Sequence, residues 1–451
     1  MYRAAAFALA ALLLSACSRP PALSSPDAGR SMGVEEADLA FDLEVGLVGD
    51  STLEIAVGIP LASLRFVPTG DSATGSFRAP YALSVRLTDA RQRATLRSSI
   101  TLDTVVVRGA ASTERDSSVL HLDTFEAPPG RYAVVAEVEA QGGRRRAERR
   151  LVVQVPRAGE PAVSTPRLAR CREGRCRRDP GFLVPAPFDS LHLSIWARTA
   201  ASASDASLMV YRYRRDTTVA RPPYWVGPPP GSLAARGLST DTADAVRTSA
   251  RAVSNRGGTL TFAVGPLLPG VYGARARVGE TESARSFGVA PAGFPQPSTL
   301  SDAIDALAYI AYADELRAMR AADGPAQRAA FDAFWARTAG DRVTAERMLQ
   351  RYYARVAEAN RRFTAYKLGW KTDRGMIYVV FGPPAYVDRT FTGEVWHYGA
   401  SGRPSETFTF ERGAGYGTTG GPFEPYLLQR NPAYEQPWRR AVRVWRSGRA
   451  D

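Results

Sequence analysis

The spacing of apolar residues changes once along this chain, and the change divides it. Up to about residue 290, apolar side chains recur at every second position in short runs. From about residue 296 they recur every third or fourth. Period two puts alternate side chains on opposite faces of a strand, whereas period 3.6 gathers them on one face of a helix. A chain of 451 residues with this switch is expected to hold several domains, β-rich first and helical later. Its 45% hydrophobic and 23% charged content is that of a core-forming protein.

In the first half, Phe41, Leu43, Val45 and Leu47 alternate with polar or small neighbours. Leu53-Glu54-Ile55-Ala56-Val57 alternates again, and Tyr81 to Leu87 is a clean period-two strand. Runs at 132–138 and 151–155 bracket Gly142-Gly143, a pair suited to a hairpin loop. Five arginines follow that turn, and we read them as a solvated cluster protecting a sheet edge. Leu191 to Trp196 and Leu208 to Tyr211 alternate in the same way further on. Pro129-Gly130-Arg131-Tyr132 and Pro269-Gly270-Val271-Tyr272 each start a strand, so the region reads as two similar β-sandwich modules, at 38–156 and 182–295. Between them, a linker at 157–181 carries Cys171 and Cys176 around a Glu-Gly turn, which suggests a local disulfide. A stiff loop, Arg221-Pro222-Pro223-Tyr224-Trp225 continuing to Gly231, offers rigid aromatic contact area for a partner or a neighbouring domain.

From 296 the helical stripes take over. Thr299 and Asp302 have capping-box spacing. Leu300, Ile304, Leu307, Ala311, Leu316 and Met319 predict one helix, which Gly324-Pro325 ends while starting another. A third helix is expected over about 342–364. It is followed by Gly369-Trp370-Lys371-Thr372-Asp373-Arg374-Gly375, and then by the apolar run 376–381, read as a strand stopped at Gly382-Pro383-Pro384. Further strands are expected at Glu394-Val395-Trp396-His397-Tyr398 and Thr407 to Phe410. The expected fold is two all-β immunoglobulin-like sandwich modules followed by a C-terminal α+β domain of about three helices plus a small antiparallel sheet.

The C-terminal region closely resembles the GWxTD domain family. The resemblance rests on Phe331-Phe334-Trp335, the Tyr352-Tyr353 and Ala359-Asn360 helix, GWKTDRG, IYVVFGPP and EVWHY, and covers about 299–430. One departure is visible: residues 336–341 replace the Arg-Asp-Pro-rich loop of that family. The resemblance implies a bacterial envelope protein whose GWxTD domain, placed here at 296–451, sits behind β-sandwich modules. It implies no particular activity. Physically, Gly369 and Gly375 allow tight backbone, Thr372 and Asp373 can bond nearby N–H groups, and Arg374 can pair Asp373 or Glu394. That describes a helix-to-strand corner. The functional alternative places Lys371, Asp373, Arg374, Glu394 and Trp396 beside a ligand groove.

The amino terminus supplies an address. Arg3 precedes an apolar run at 4–16, shorter than the roughly 20 residues a membrane span needs. It fits a signal peptide at 1–16. Leu14-Ser15-Ala16-Cys17 resembles the lipobox of bacterial lipoproteins, which implies lipidation at Cys17, a tether at 17–37, and, with Ser18 following, the outer membrane with the chain facing the periplasm. The net charge of +13 attracts polyanions. In that compartment these are lipids, acidic glycans or envelope proteins, and not nucleic acid. Lys367 and Lys371 are the only lysines of the chain, and both flank the Gly-Trp of the motif.

Catalytic signatures are lacking. Gly415-Tyr416-Gly417-Thr418-Thr419-Gly420 matches GxGxxG, but Gly421-Pro422 cannot open the helix that would hold a phosphate. Three histidines, His121, His192 and His397, lie far apart in sequence, and neither HExxH nor GxSxG occurs. We assign no catalytic residue, no metal and no cofactor. The expected role is a lipid-anchored structural or protein-interaction module. The alternative is a glycan-binding protein or hydrolase with its site in the GWxTD domain.

Overall fold

The computed structural model describes residues 39–69, 75–90, 94–108, 118–140, 145–185, 187–198, 206–214, 216–227, 243–247, 252–256, 258–389, 393–399, 406–412 and 426–449. The leader, Cys17, the tether, Gly142-Gly143, the loop from 228 to 231 and the glycine run 415–420 lie outside these residues.

Module 1 comprises β1 (Asp42–Leu47), β2 (Thr52–Pro60), β3 (Val67–Pro68), β4 (Ser76–Asp89), β5 (Thr95–Arg108), β6 (Ser118–Glu126), β7 (Gly130–Ala140) and β8 (Arg145–Val155). One sheet runs β1-β2-β6. The other runs β3-β4-β7-β8, with β5 on the far side of β4. The alternation in β4 sends Tyr81, Leu83, Val85 and Leu87 inward, where they meet Leu53, Ile55 and Val57 of the opposite sheet. β8, which carries Arg146, Arg149 and Arg150, forms an edge of the second sheet.

Module 2 begins inside the stretch read above as a linker. It comprises β9 (Ala162–Val163), β10 (Arg167–Arg172), β11 (Arg175–Arg178), β12 (Leu183–Val184), β13 (Ser190–Arg198), β14 (Ala206–Tyr213), β15 (Ala243–Arg247), β16 (Ala252–Arg256), β17 (Thr259–Val264), β18 (Gly270–Val278) and β19 (Thr281–Val289). Its sheets run β11-β10-β13-β17-β16, with β9 on β13, and β12-β19-β18-β14-β15. The order repeats that of module 1: β1-β2-β6 corresponds to β10-β13-β17, and β5-β4-β7-β8 to β15-β14-β18-β19. Each Pro-Gly-x-Tyr segment closes a tyrosine corner. The Tyr132 hydroxyl donates to Pro128 O at 2.7 Å and that of Tyr272 to Leu268 O at 2.6 Å. Such a corner marks immunoglobulin-like sandwiches.

Cys171 and Cys176 form a disulfide across the β10–β11 hairpin. Its two-residue turn, Glu173-Gly174, has φ of 52° and 75°. Two positive φ values are what a tight hairpin requires, and Gly meets the second without strain. The register of β10 on β13 also brings His192 to the bridge, with Nδ1 3.6 Å from Cys176 Sγ.

Ion pairs lock the modules together. Glu54 Oε1 meets Arg167 Nη1 at 3.2 Å and Arg178 Nη2 at 2.8 Å, and Glu44 Oε1 meets Arg285 Nη1 at 2.9 Å. Trp196 of module 2 packs into the core of module 1.

The C-terminal region holds α1 (Leu300–Ala306), α2 (Ala313–Ala321), α3 (Gly324–Ala339), α4 (Arg342–Phe363), α5 (Asp373–Phe381) and α6 (Glu435–Arg446). Its antiparallel sheet runs β20 (Tyr386–Arg389), β21 (Gly393–Tyr398), β22 (Glu406–Arg412) and β23 (Tyr426–Leu428). Two expectations need correction. The first predicted helix is broken by a 3-10 turn at Leu307–Tyr309, because Tyr312 N–H donates to Glu315 Oε2 at 2.8 Å and restarts the helix there. The apolar run 376–381, expected as a strand, is the body of helix α5. A short, wholly apolar run reads alike as a buried strand or a buried helix. Thr372 decides between them as N-cap, its Oγ1 accepting from Gly375 N at 3.0 Å. α5 is buried from Gly375 through Val380, enclosed by α4, α6 and the sheet. α6 was not anticipated. It carries Trp438 and Trp445 into the core and Arg439, Arg440 and Arg443 outward, while Arg446 pairs with Glu315 at 2.8 Å.

Among the described residues, no helix is long and apolar enough to cross a membrane.

Candidate functional site: the GWKTDRG corner

The motif folds as a 3-10 turn, Gly369–Lys371, leading into α5. The turn lies directly on the backbone of α4. A Cβ at Gly369 would sit 1.9 Å from Ala359 O, and one at Gly375 would sit 1.8 Å from Gly369 O. Both glycines serve close approach; neither has positive φ. Asn360 fixes the crossing, its Oδ1 accepting from Trp370 N at 3.1 Å and its Nδ2 donating to Pro295 O at 2.8 Å. Trp370 is buried edge-to-face against Tyr309, whose hydroxyl donates to Trp370 O at 2.7 Å. Burial holds that phenol well above its ordinary pKa, and the nearby Asp373 charge adds to the effect.

The motif's charges are directed into the protein. Asp373 Oδ2 accepts from Leu428 N at 2.9 Å, and its Oδ1 pairs with Arg430 Nη2 at 2.7 Å. Arg374 Nη1 lies 3.3 Å from Glu394 Oε1, and its guanidinium covers the Tyr426 ring at 4.0 Å. Glu394 is buried and also accepts from Trp396 Nε1 at 3.0 Å. Thr372 Oγ1 donates to Gly369 O at 2.7 Å while capping α5. The Lys371 ammonium lies over the Trp370 ring at 5.0 Å.

Onto this corner docks residues 216–225, part of the connection between β14 and β15 of module 2. Ala220 N donates to Lys371 O at 3.1 Å, and Asn431 N donates to Pro223 O at 3.2 Å. Arg430 Nη1 donates to Arg221 O and Pro222 O at 2.6 and 2.8 Å. Lys367 Nζ donates to Thr218 O at 3.0 Å and lies 3.9 Å from Asp216 Oδ2. Burial pushes the Lys367 pKa down; Asp216 and Asp373 oppose that, while Lys371 and Arg430 reinforce it. Within the loop Arg221 stacks over Trp225 at 3.8 Å, while Val219, Ala220 and Tyr224 pack against the core of the C-terminal region.

The structure therefore brings Lys371, Asp373, Arg374, Glu394 and Trp396 into one cluster and adds Asp216, Thr218, Lys367 and Arg430. These last lie in three separate stretches of sequence, and only the two lysines flanking Gly-Trp gave any signal. Cys171, Cys176 and His192 form a second cluster, with ligand atoms within 4.8 Å of one another. The disulfide occupies both sulfurs. An open cavity of about 640 Å³ lies elsewhere, on module 1, lined by Tyr81, Leu102, Asp103 and Glu139 among others.

Residues 270–447 match the family model of the GWxTD domain. The match begins at the tyrosine corner of module 2 and includes its last two strands. No curated relative matches the chain in sequence. Among solved structures, the chain is similar to Salmonella alpha-2-macroglobulin reacted with methylamine, at 14% identity, over 58% of this chain and 17% of that one, with a TM-score of 0.19. It is similar to Escherichia coli alpha-2-macroglobulin activated by porcine elastase at 12% identity, over 59% and 23%, with a TM-score of 0.19. It is also similar to a chain of the complex of Dpr2 Ig1-Ig2 with DIP-Theta Ig1-Ig3, at 9% identity, over 57% of this chain and 74% of that one, with a TM-score of 0.14. The chain spans less than a quarter of the length of either macroglobulin.

Proposed function

We propose that this protein is a structural or protein-interaction module of the bacterial cell envelope, lipid-anchored through Cys17 to the periplasmic face of the outer membrane. Its partner is an envelope protein or an acidic glycan. The observation that carries the reading is the use made of the GWKTDR charges. Asp373 and Arg374 are spent on Arg430, the Leu428 amide and Glu394, inside the protein. A hydrolytic site needs a carboxyl group free to move a proton at a substrate. Here the carboxylates nearest the motif hold a helix to a sheet and a sandwich loop to both. The motif serves to fix the sandwich relative to the GWxTD domain, so that both present one rigid surface. The basic balance of the chain favours acidic counter-surfaces.

The test is fractionation with cross-linking. Cys17→Ala should move the protein from the membrane to the soluble fraction, and the wild-type chain should recover a reproducible envelope partner after cross-linking in intact cells. Continued membrane association of the variant would sink the anchoring claim. Turnover of an envelope glycan that Glu394→Gln abolishes, with the fold intact, would replace the reading by an enzymatic one.

A further inference from the structure

β5 lies at an edge. Among the described residues it pairs with β4 along its length, and no strand pairs with its other side. In an antiparallel ladder, alternate residues aim their N–H and C=O groups away from a given neighbour. A 14-residue edge strand therefore presents a row of donors and acceptors, of which Leu96 O is met by Arg97 Nη1 at 2.8 Å and Thr104 N by Asp103 Oδ1 at 2.7 Å. Proteins blunt such edges with charge, proline or shortness. β8, at another edge of the same sheet, carries its arginines. On β5, Arg97 and Asp103 each cover one edge backbone group, and the residues between them carry no charge and no proline. Ile100, Leu102 and Val106 are 73%, 78% and 62% exposed there.

That face reads Leu96, Ser98, Ile100, Leu102, Thr104, Val106. The series is the same in both directions about Thr101: apolar, hydroxyl, apolar, then apolar, hydroxyl, apolar. The geometry points to a second copy of this chain as the occupant, its β5 laid antiparallel on the first about a twofold axis at Thr101. In that register Ile100 faces Leu102, Leu96 faces Val106 and Ser98 faces Thr104, each pair formed twice by symmetry. On the inner face Asp103 meets Ser99 and Arg97 meets Val105, so no like charges oppose. A slip of the partner by two residues in either direction sets apolar side chains against hydroxyls. In one direction it also sets Leu96 against Arg108. The twofold contact is closed, so it satisfies both edges and leaves none to propagate. It joins the two sheets into one continuous sheet across the axis.

The test uses the full chain in detergent. Ile100→Cys and Leu102→Cys are made as separate variants and oxidised alone and as an equal mixture. The mixture should form a disulfide-linked dimer, because facing residues lie within bonding range. Each variant alone should not, because its own counterpart lies two residues away along the strand. In sedimentation, the wild-type chain should be a dimer at micromolar concentration. The double variant Ile100→Lys/Leu102→Lys should be a folded monomer with an unchanged circular dichroism spectrum, since both side chains face solvent in the protomer. A monomeric wild-type chain, homotypic cross-links as strong as the mixed one, or a dimer that survives the two lysines would overturn the proposal.

Discussion

At the scale of single residues, Gly375 decides whether the corner closes. One added methyl group would overlap Gly369 O at 1.8 Å, and the atom in the way is backbone. We expect Gly375→Ala to destabilise the C-terminal region by about 4 kcal/mol or more, among the largest effects of single substitutions. Calorimetry should resolve this as a lowered transition for that region, with the sandwich transition unmoved. Asp179 works in the opposite sense. Burial raises its pKa to about 6, helped by Asp42, while Arg170 and Arg285 oppose the shift. An acid whose folded pKa lies above its unfolded value of roughly 4 favours the folded state when protonated. Its contribution is therefore full below about pH 4 and is lost as pH rises to about 6. Asp179→Asn should remove that loss, about 2 to 3 kcal/mol, and so gain on the wild type above pH 6. Unfolding measured across pH 4 to 7 checks the sign; equal pH dependence in both proteins would refute it.

At the scale of elements, α5 is the instructive case. Nothing in the apolar composition of Met376 to Phe381 distinguishes a buried helix from a buried strand, so the decision rests on one hydroxyl at Thr372. Thr372→Ala should cost about 1 to 2 kcal/mol, and Thr372→Ser should recover most of it. A cost below the error of the unfolding measurement would mean that packing alone sets the helix. Elsewhere the sequence was more explicit. β4 is buried on one face only, so Tyr81 to Leu87 alternate visibly. The Cys171–Cys176 hairpin was legible because two cysteines flank a short turn in which Gly174 takes positive φ without strain. The pairing of His192 with that bridge, and of Arg430 with Asp373, was not legible. Both depend on strand register and chain return, which join residues far apart in sequence. The repeated sandwich showed in sequence only through its two Pro-Gly-x-Tyr corners, because the rest of each module is constrained in pattern and not in residue identity.

At the scale of the whole molecule, the GWKTDRG corner clasps residues 216–225 and so fixes the second sandwich on the C-terminal domain. Arg430 is the hub, bonding the loop through Arg221 O and Pro222 O and the corner through Asp373. Removing it leaves the Asp373 charge unpaired and the loop without its main donor, a loss of about 3 to 5 kcal/mol by analogy with other broken buried pairs. The most direct measurement is amide hydrogen exchange on Arg430→Met, read at Ala220 and Asn431, whose N–H groups bridge loop and corner. Both amides should lose protection together while α4 and the sandwich strands keep theirs. Retained protection at Ala220 and Asn431 in a folded Arg430→Met protein would contradict the clasp.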